Sequence, residues 1–279
     1  MKRLMCIVTM AALTVFAFAG CNGGTSGEKA DNVKGSIAVN GSTSMESVIG
    51  ILSEKFMQDN KGIKISYDAT GSGTGIAAVS KGSCDIGLAS RSLKDAEKAS
   101  GLEETTIALD GIAIIVNEKC PVDDMTLENI KALFNGSIKD WAKITGESGT
   151  VAAIGREAGS GTRDGFESIT KTKDKCKLAQ ELTSTGAVIE AVKNNKAAIG
   201  YASFASVENR KGIKVLKING VACNEKNIAD GSYVIQRPLN LVTKKGTKLS
   251  ECANKFYTFM TSKEAAPLIL KAGAVPTAK

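Results

Sequence analysis

The fold is decided by the segment TVAAIGREAGSGTRDGF, which runs from Thr150 to Phe166. Its first five residues are mostly small or β-branched and apolar, which predicts a short buried strand. A loop of small residues follows and carries Arg156, and Phe166 then begins apolar positions at helical spacing. A strand, a small polar loop and a helix make up the unit from which helix-covered parallel sheets are built.

The same unit recurs along the chain, where predicted strands end in small polar loops. These strands and loops are Ser36–Val39 before GSTS at 41–44, Ile63–Ala69 before GSGTG at 71–75, and Asp85–Ala89 before Ser90 and Arg91. Later segments continue the alternation: strands at Ile112–Val116, Ala197–Ala202 and Val234–Val242, and helices after Thr126, at Gly186–Lys193, Cys252–Met260 and Lys263–Lys271. The pattern predicts an α/β protein.

The composition excludes several kinds of chemistry. The 279 residues include 36 Lys and Arg, 29 Asp and Glu, and no His. Without His, the chain cannot build a Ser-His-Asp triad or a His-ligated zinc site. The lysines are scattered, which argues against a nucleic-acid footprint. The length favours two domains.

The first twenty residues predict a bacterial lipoprotein signal peptide. A basic start precedes an apolar stretch that ends in Ala19-Gly20-Cys21. An uncleaved anchor helix is the alternative, but the stretch is shorter than the roughly 20 residues that span a bilayer. We therefore expect a lipid on Cys21, a flexible Gly- and Ser-rich tether over residues 21–33, and an extracytoplasmic protein held at the cell membrane.

Five other cysteines follow the signal: Cys84, Cys120, Cys176, Cys223 and Cys252. No CxxC pair occurs, so a metal site is not expected. In an exported protein these residues could form up to two disulfides, or all five could remain free thiols.

Hydroxyl-bearing loops at predicted helix N-termini are the candidate binding site. The first N–H groups of a helix lack internal acceptors, and the helix dipole adds positive potential, so such ends attract anions. For any single loop, an ordinary cap or turn is the alternative. The candidates are Thr43, Ser44, Ser72, Ser90, Ser160, Gly161 and Thr162.

Two charged residues complete the prediction. Arg156 precedes the third loop, and a guanidinium can bind an oxyanion through two hydrogen bonds. Either Glu157 or Asp164 could hold it in position. Asp85 is expected at the same edge of the sheet, where its carboxylate could accept a proton from a protonated anion; a structural cap is the alternative.

Six segments together resemble the phosphate-binding lipoproteins of Pst-type ABC transporters. They are GSTSM (41–45), GSGTG (71–75), CDIGLASR (84–91), MTLENIKALFNGSIKDW (125–141), REAGSGTRDGFE (156–167) and AAIGYASF (197–204). The resemblance implies a two-lobed type II periplasmic-binding-protein fold, with the ligand in the cleft between lobes. The two crossings near 111–116 and 234–241 place residues 34–112 and 238–279 in lobe 1 and residues 113–237 in lobe 2.

The resemblance also implies function and residue roles. The protein would capture inorganic phosphate and deliver it to the permease subunits of an ABC transporter, as a monomer without enzymatic activity or cofactor. Donors to the anion would be Thr43, Ser44, Ser72, Ser90, Ser160, Gly161 and Thr162; Arg156 would pair with its charge, and Asp85 would accept its proton.

Three other functions stay open on the sequence. The protein could bind another oxyanion, such as sulfate or molybdate, although the carboxylate of Asp85 would repel a ligand that carries no proton. An exported phosphatase would need a base to activate a Ser or Thr nucleophile. A sensory or adhesive lipoprotein could keep the fold without the transport role.

Overall fold

The computed structural model describes residues 33–277, so the predicted signal peptide, Cys21 and nearly all of the predicted tether lie outside the described residues. Within that range the strands are β1 Gly35–Gly41, β2 Ile63–Ala69, β3 Ile86–Ala89, β4 Leu102–Asn117, β5 Asp124–Met125, β6 Ala152–Arg156, β7 Gln180–Leu182, β8 Ala198–Ser203, β9 Ile213–Val215, β10 Lys217–Ile218, β11 Gln236–Lys244 and β12 Val275–Pro276. The α-helices are α1 Glu46–Asp59, α2 Ser72–Lys81, α3 Asp95–Ala99, α4 Leu127–Phe134, α5 Ala142–Thr145, α6 Gly161–Thr170, α7 Thr185–Lys193, α8 Phe204–Val207, α9 Glu225–Ala229, α10 Glu251–Met260 and α11 Ala266–Lys271. A 3₁₀ turn, Thr43–Met45, joins β1 to α1.

The long strand β4 links the two parts of the sheet. The strand order is β2-β1-β3-β11-β4-β8-β6-β7, with β12 and β9 also paired to β4. Residues 102–111 of β4 pair with β11, whereas residues 112–117 pair with β8 and β9. The pairs β1–β2, β1–β3, β6–β7 and β6–β8 are parallel, as the strand-loop-helix units predict.

Two hydrophobic cores define the lobes of this α/β fold. The core of lobe 1 packs α1, α10 and α11 on β1, β3 and β11, around Leu52 and Phe256. The core of lobe 2 packs α4, α6 and α7 on the far half of β4 and on β6 and β8, around Ile114 and Phe166. Each of these six helices therefore buries apolar residues on its own part of the sheet.

Most predicted elements are present with shifted ends. Thr126 caps α4 as expected, because its side chain accepts a hydrogen bond from Asn129 N at 3.2 Å. The predicted strand at 112–116 is only the second half of β4, and the predicted helix at 263–271 begins at Ala266. No helix among residues 33–277 is both long and apolar enough to span a bilayer.

Candidate functional site

The small polar loops of the two lobes meet at the carboxyl ends of the parallel strands. Lobe 1 contributes the loops after β1, β2 and β3, and lobe 2 contributes the loops after β6 and β7. Seven predicted side chains are buried there, each at most 2% exposed: Thr43, Ser44, Ser72, Ser90, Arg156, Ser160 and Thr162.

Local chemistry shapes the first loop. Gly41 ends β1 at a φ of +140°, and a Cβ at this position would collide with the backbone of Leu88. The side chain of Ser42 then accepts a hydrogen bond from Ser44 N at 3.3 Å, and Tyr67 Oη donates to the Ser42 carbonyl at 2.5 Å. These contacts turn the side chains of Thr43 and Ser44 toward lobe 2.

Hydroxyl groups from the two lobes hydrogen-bond to one another directly. Ser44 Oγ lies 2.8 Å from Thr162 Oγ1 and 3.2 Å from Thr185 Oγ1. Thr43 Oγ1 lies 3.0 Å from Thr185 Oγ1 and accepts a bond from Thr185 N at 3.2 Å. We call Thr43, Ser44, Thr162 and Thr185 the hydroxyl cluster.

A second contact between lobes lies beside the hydroxyl cluster. Ser72 Oγ accepts a hydrogen bond from Ser90 N at 3.1 Å and lies 3.2 Å from Ser90 Oγ. A Cβ on Gly161 of lobe 2 would lie 2.5 Å from Ser72 Oγ and 2.6 Å from Ser90 Oγ. Glycine is needed at this position because the two lobes touch there.

Arg156 lies under the hydroxyl cluster and is held by backbone carbonyls. Its Nε donates to Leu182 O at 3.0 Å and its Nη2 to Thr183 O at 2.8 Å, while Nη1 donates to Thr43 Oγ1 at 2.8 Å. Burial lowers the pKa of Arg156 from its usual value. A guanidinium nevertheless stays protonated in proteins, so the cluster surrounds a buried positive charge.

Stacked aromatic rings hold the strand that carries Arg156. Tyr201 Oη accepts a hydrogen bond from Arg156 N at 3.0 Å, and the ring of Phe166 stacks on Tyr201 with centroids 4.3 Å apart. Ser160 caps α6 by accepting a bond from Arg163 N at 3.3 Å. Helix α6 therefore begins at a fixed position, and its first N–H groups, on Gly161 and Thr162, are held close to Arg156.

Asp85 is the one predicted ligand that the structure places elsewhere. It precedes β3, and its carboxylate accepts a hydrogen bond from Ala38 N at 2.8 Å. Since β1 and β3 are parallel and Gly41 pairs with Leu88, Asp85 lies at the opposite edge of the sheet from Ser90, roughly 16 Å away at about 3.3 Å per residue. The expectation that Asp85 lies beside the loops was wrong, and its carboxylate acts as a strand cap.

Thr185 is a site residue that the sequence analysis missed. It is the first residue of α7 and touches Thr43, Ser44 and Arg156, the last at 3.3 Å from Nη1. The stretch Ser184-Thr185-Gly186 repeats the hydroxyl-and-glycine pattern of the other loops, so the signal was present. The predicted helix began one residue too late to include it.

Different partners hold Glu157 and Asp164, the two acids proposed to position Arg156. Glu157 Oε1 lies 3.7 Å from Arg156 Nη2, and its side chain is 36% exposed. The carboxylate of Asp164 instead lies 2.9 Å from Arg91 Nε of lobe 1. Of the two acids, Glu157 is therefore the one beside Arg156.

Among the described residues, the cysteines form no disulfide and the potential metal ligands form no metal site. The five cysteines named above are all free thiols. Burial raises the pKa of Cys84 and of Cys176 to about 11. Within residues 33–277, no cluster of three or more His, Cys, Asp or Glu residues is arranged to hold a metal ion.

The chain is similar to a known protein family and to a relative within it. Residues 26–264 match the PBP superfamily domain. The phosphate-binding protein PstS of Staphylococcus aureus (strain bovine RF122 / ET3-1) is 30% identical over 276 residues, which cover 93% of this chain and 84% of that protein.

Two solved structures are also similar. A phosphate ABC transporter substrate-binding protein of Clostridium perfringens, crystallised with bound phosphate, is 34% identical with a TM-score of 0.83 and covers 87% of this chain and 100% of its own. An ABC-type phosphate transport receptor of Vibrio cholerae is 31% identical with a TM-score of 0.70, over 86% and 99% of the two chains.

Proposed function

Because this chain belongs to the PstS family of phosphate-binding proteins, within the PBP superfamily, we propose that it binds inorganic phosphate and delivers it to an ABC transporter for import. The buried Arg156 supports this proposal most directly. Its guanidinium donates to two backbone carbonyls and to the hydroxyls of Thr43 and Thr185, all of them neutral, and the nearest carboxylate oxygen of the described residues, on the partly exposed Glu157, lies 3.7 Å from Nη2. A buried charge needs a partner of opposite sign, which an oxyanion supplies.

The proposed donors come from both lobes. Thr43, Ser44, Ser72 and Ser90 belong to lobe 1, whereas Arg156, Thr162 and Thr185 belong to lobe 2. A tetrahedral anion between them would accept the hydrogen bonds that the hydroxyls now make to one another, and it would face the N–H groups at the start of α6. Donor groups from both lobes can bind one anion together only when the lobes are close, so binding is coupled to cleft closure.

We assign residues 34–112 and 238–279 to lobe 1 and residues 113–237 to lobe 2. The pairing of β4 with β11 up to Gly111, and with β8 from Ile112 onward, supports this division. The two lobes then hinge about the neighbouring strands β4 and β11.

Sulfate is a second candidate ligand, and the position of Asp85 favours it. A carboxylate in the cluster would have repelled an anion without a proton, but Asp85 lies at the other edge of the sheet. Ser and Thr hydroxyls can donate to sulfate, and they can also accept the proton of hydrogen phosphate. Discrimination between phosphate and sulfate therefore depends on the hydroxyl groups, and calorimetry with both anions measures it.

We further propose that the protein works outside the cytoplasm as a monomeric, non-enzymatic binding protein, anchored through a lipid on Cys21 and docking on the permease subunits. The signal-like leader and the Gly- and Ser-rich tether of the sequence support the anchor. Changing Cys21→Ser should release the protein from the membrane fraction of its host. Unchanged membrane retention of the variant would contradict lipid attachment.

Calorimetric titration with phosphate, sulfate and molybdate tests the binding function. We expect saturable binding of phosphate at one site, and loss of that binding in Arg156→Met. The matched control is Arg210→Met, because Arg210 is exposed and its Nε donates to the Ser206 carbonyl at 3.3 Å. If phosphate does not bind, or binds equally well to Arg156→Met, the proposed site is wrong. If sulfate or molybdate binds more tightly than phosphate, that anion is the ligand instead.

A further inference from the structure

An ion pair joins the two lobes beside the proposed phosphate site. Arg91 follows Ser90 in lobe 1, and Asp164 lies two residues after Thr162 in lobe 2. Arg91 Nε lies 2.9 Å from Asp164 Oδ2, and Lys94 Nζ of lobe 1 lies 3.5 Å from the same oxygen. Each partner is thus close in sequence to a residue of the binding site, without belonging to the donor set assigned there.

Contacts inside lobe 1 hold Arg91 in position for this ion pair. Its Nη1 and Nη2 each donate to a carboxylate oxygen of Glu97 at 2.8 Å, and Nη1 also donates to the Ser92 carbonyl at 2.9 Å. Burial alone would raise the pKa of Glu97, but the hydrogen bonds from Arg91 and from Lys94 N lower it overall. Glu97 is therefore charged at neutral pH, and Arg91 has little side-chain freedom left to lose when it pairs with Asp164 across the cleft.

Asp164 has its ionic partners in the opposite lobe. Among residues 33–277, the cations within 4 Å of its carboxylate are Arg91 and Lys94, both of lobe 1. Within its own lobe, Asp164 lies in the first turn of α6, where its N–H donates to Ser160 O at 2.9 Å. When the lobes separate, the carboxylate loses these partners while α6 and the Arg91–Glu97 pair remain intact.

We propose that Arg91 and Asp164 form a latch that holds the cleft closed and slows phosphate release. This inference rests on the proposed phosphate-binding function. Arg91 is 7% exposed, so water screens its charge less than at an open surface. Because the pair forms only on closure, it stabilises the closed state alone, and Arg91 and Asp164 act as positioning residues for the groups that touch the anion.

The decisive measurement is the release rate of labelled phosphate after addition of excess unlabelled phosphate. In Asp164→Asn we expect release to accelerate about fivefold, the factor for an ion pair worth about 1 kcal/mol, with the association rate unchanged within twofold. High salt should accelerate release from the wild type but not from the variant, and Asp164→Glu should restore part of the slow release.

Glu181→Gln is the matched control, because Glu181 pairs with Arg163 at 3.0 Å within lobe 2. Its release rate should equal that of the wild type. An unchanged release rate in Asp164→Asn, or an equal acceleration in Glu181→Gln, would overturn the latch.

Small-angle scattering without phosphate separates this inference from the function it rests on. The ligand-free Asp164→Asn variant should have a larger radius of gyration than the wild type, whatever anion the site binds. If the wild type binds no phosphate, the proposed function fails, yet a larger radius in the variant would still support the latch. An equal radius in both proteins, with equal release rates, would refute it.

Discussion

Replacing Gly161 by Ala should block closure of the cleft without harming the fold. The new Cβ would lie 2.5 Å from Ser72 Oγ, 2.6 Å from Ser90 Oγ and 3.0 Å from the backbone carbon of Ser90. The two hydroxyls can rotate, but the backbone of Ser90 cannot. All three atoms belong to lobe 1, so the collision exists only when the lobes are together.

The size of the effect follows from the distances between lobes. A non-bonded contact needs roughly 3.5 Å, so the lobes must part by about 1 Å at this point. The bond from Gly73 N to Gly159 O, now 2.9 Å, would then exceed hydrogen-bond length, as would the 2.8 Å contact of Ser44 with Thr162. In the complex the anion would accept the bonds of Ser44 and Thr162, so the affected bonds are Gly73 N to Gly159 O and the bonds from these two hydroxyls to the anion. Three hydrogen bonds of about 1 kcal/mol each correspond to roughly a hundredfold weaker binding.

Thermal unfolding and calorimetry distinguish a closure defect from a folding defect. The ligand-free variant should be as stable as the wild type or more stable by up to about 1 kcal/mol, because alanine suits the first turn of α6. Phosphate at about 100 times the wild-type Kd should stabilise the wild type by about 2.7 kcal/mol but the variant by only about 0.4 kcal/mol.

Gly186→Ala is the control for the same substitution in the first turn of α7. Gly186 is also in lobe 2, and a Cβ there meets nothing within 4 Å, so its phosphate affinity should match the wild type. The steric reasoning fails if Gly161→Ala binds phosphate within threefold of the wild type and scattering shows the same compaction.

Three further predictions follow from the site and the thiols. In Asp85→Asn the ratio of phosphate to sulfate affinity should stay within twofold of wild type by calorimetry, because this carboxylate accepts a hydrogen bond from Ala38 N within β1, away from the site; a tenfold fall in the ratio would show that Asp85 contacts the anion. In Thr185→Val phosphate should bind about fivefold more weakly, since the loss of one hydroxyl costs about 1 kcal/mol, whereas unchanged affinity would exclude Thr185 from the donor set. Because burial raises the pKa of Cys84 and Cys176 to about 11, their alkylation in the native protein, followed by mass spectrometry, should be slow at pH 7.5 and accelerate about tenfold per pH unit; rates like those of the unfolded chain would contradict this.

The binding loops could be predicted because their determinants are local. A hydroxyl at a helix N-terminus acts on N–H groups within three residues, and Ser160 caps α6 as the pattern GSGT predicts. The buried strand preceding Arg156 was equally readable from apolar spacing. These features depend on neighbours in the chain, so a single sequence is enough to identify them.

The error at Asp85 and the omission of Thr185 have a different origin. Thr185 lies at the junction of a loop with α7, where the pattern leaves the boundary uncertain by a residue or two. For Asp85, the predicted strand Asp85–Ala89 already put the carboxylate at the end opposite Ser90, so the expectation conflicted with the strand prediction, and the hydrogen bond from Ala38 N agrees with the strand prediction. For Thr185, contact with Thr43, which is 142 residues away in the chain, decided its role.

The sequence by itself determined the α/β class, the capped loops and the place of Arg156 between a strand and the third loop, because strand and helix periodicity and helix capping are short-range effects. Only the tertiary structure decided which loops share one site, that Gly161 must lack a side chain, and that Arg91 meets Asp164. These relations join residues of different lobes, and they depend on how two separately packed cores dock along β4 and β11. Periodicity within one segment carries no information about that docking.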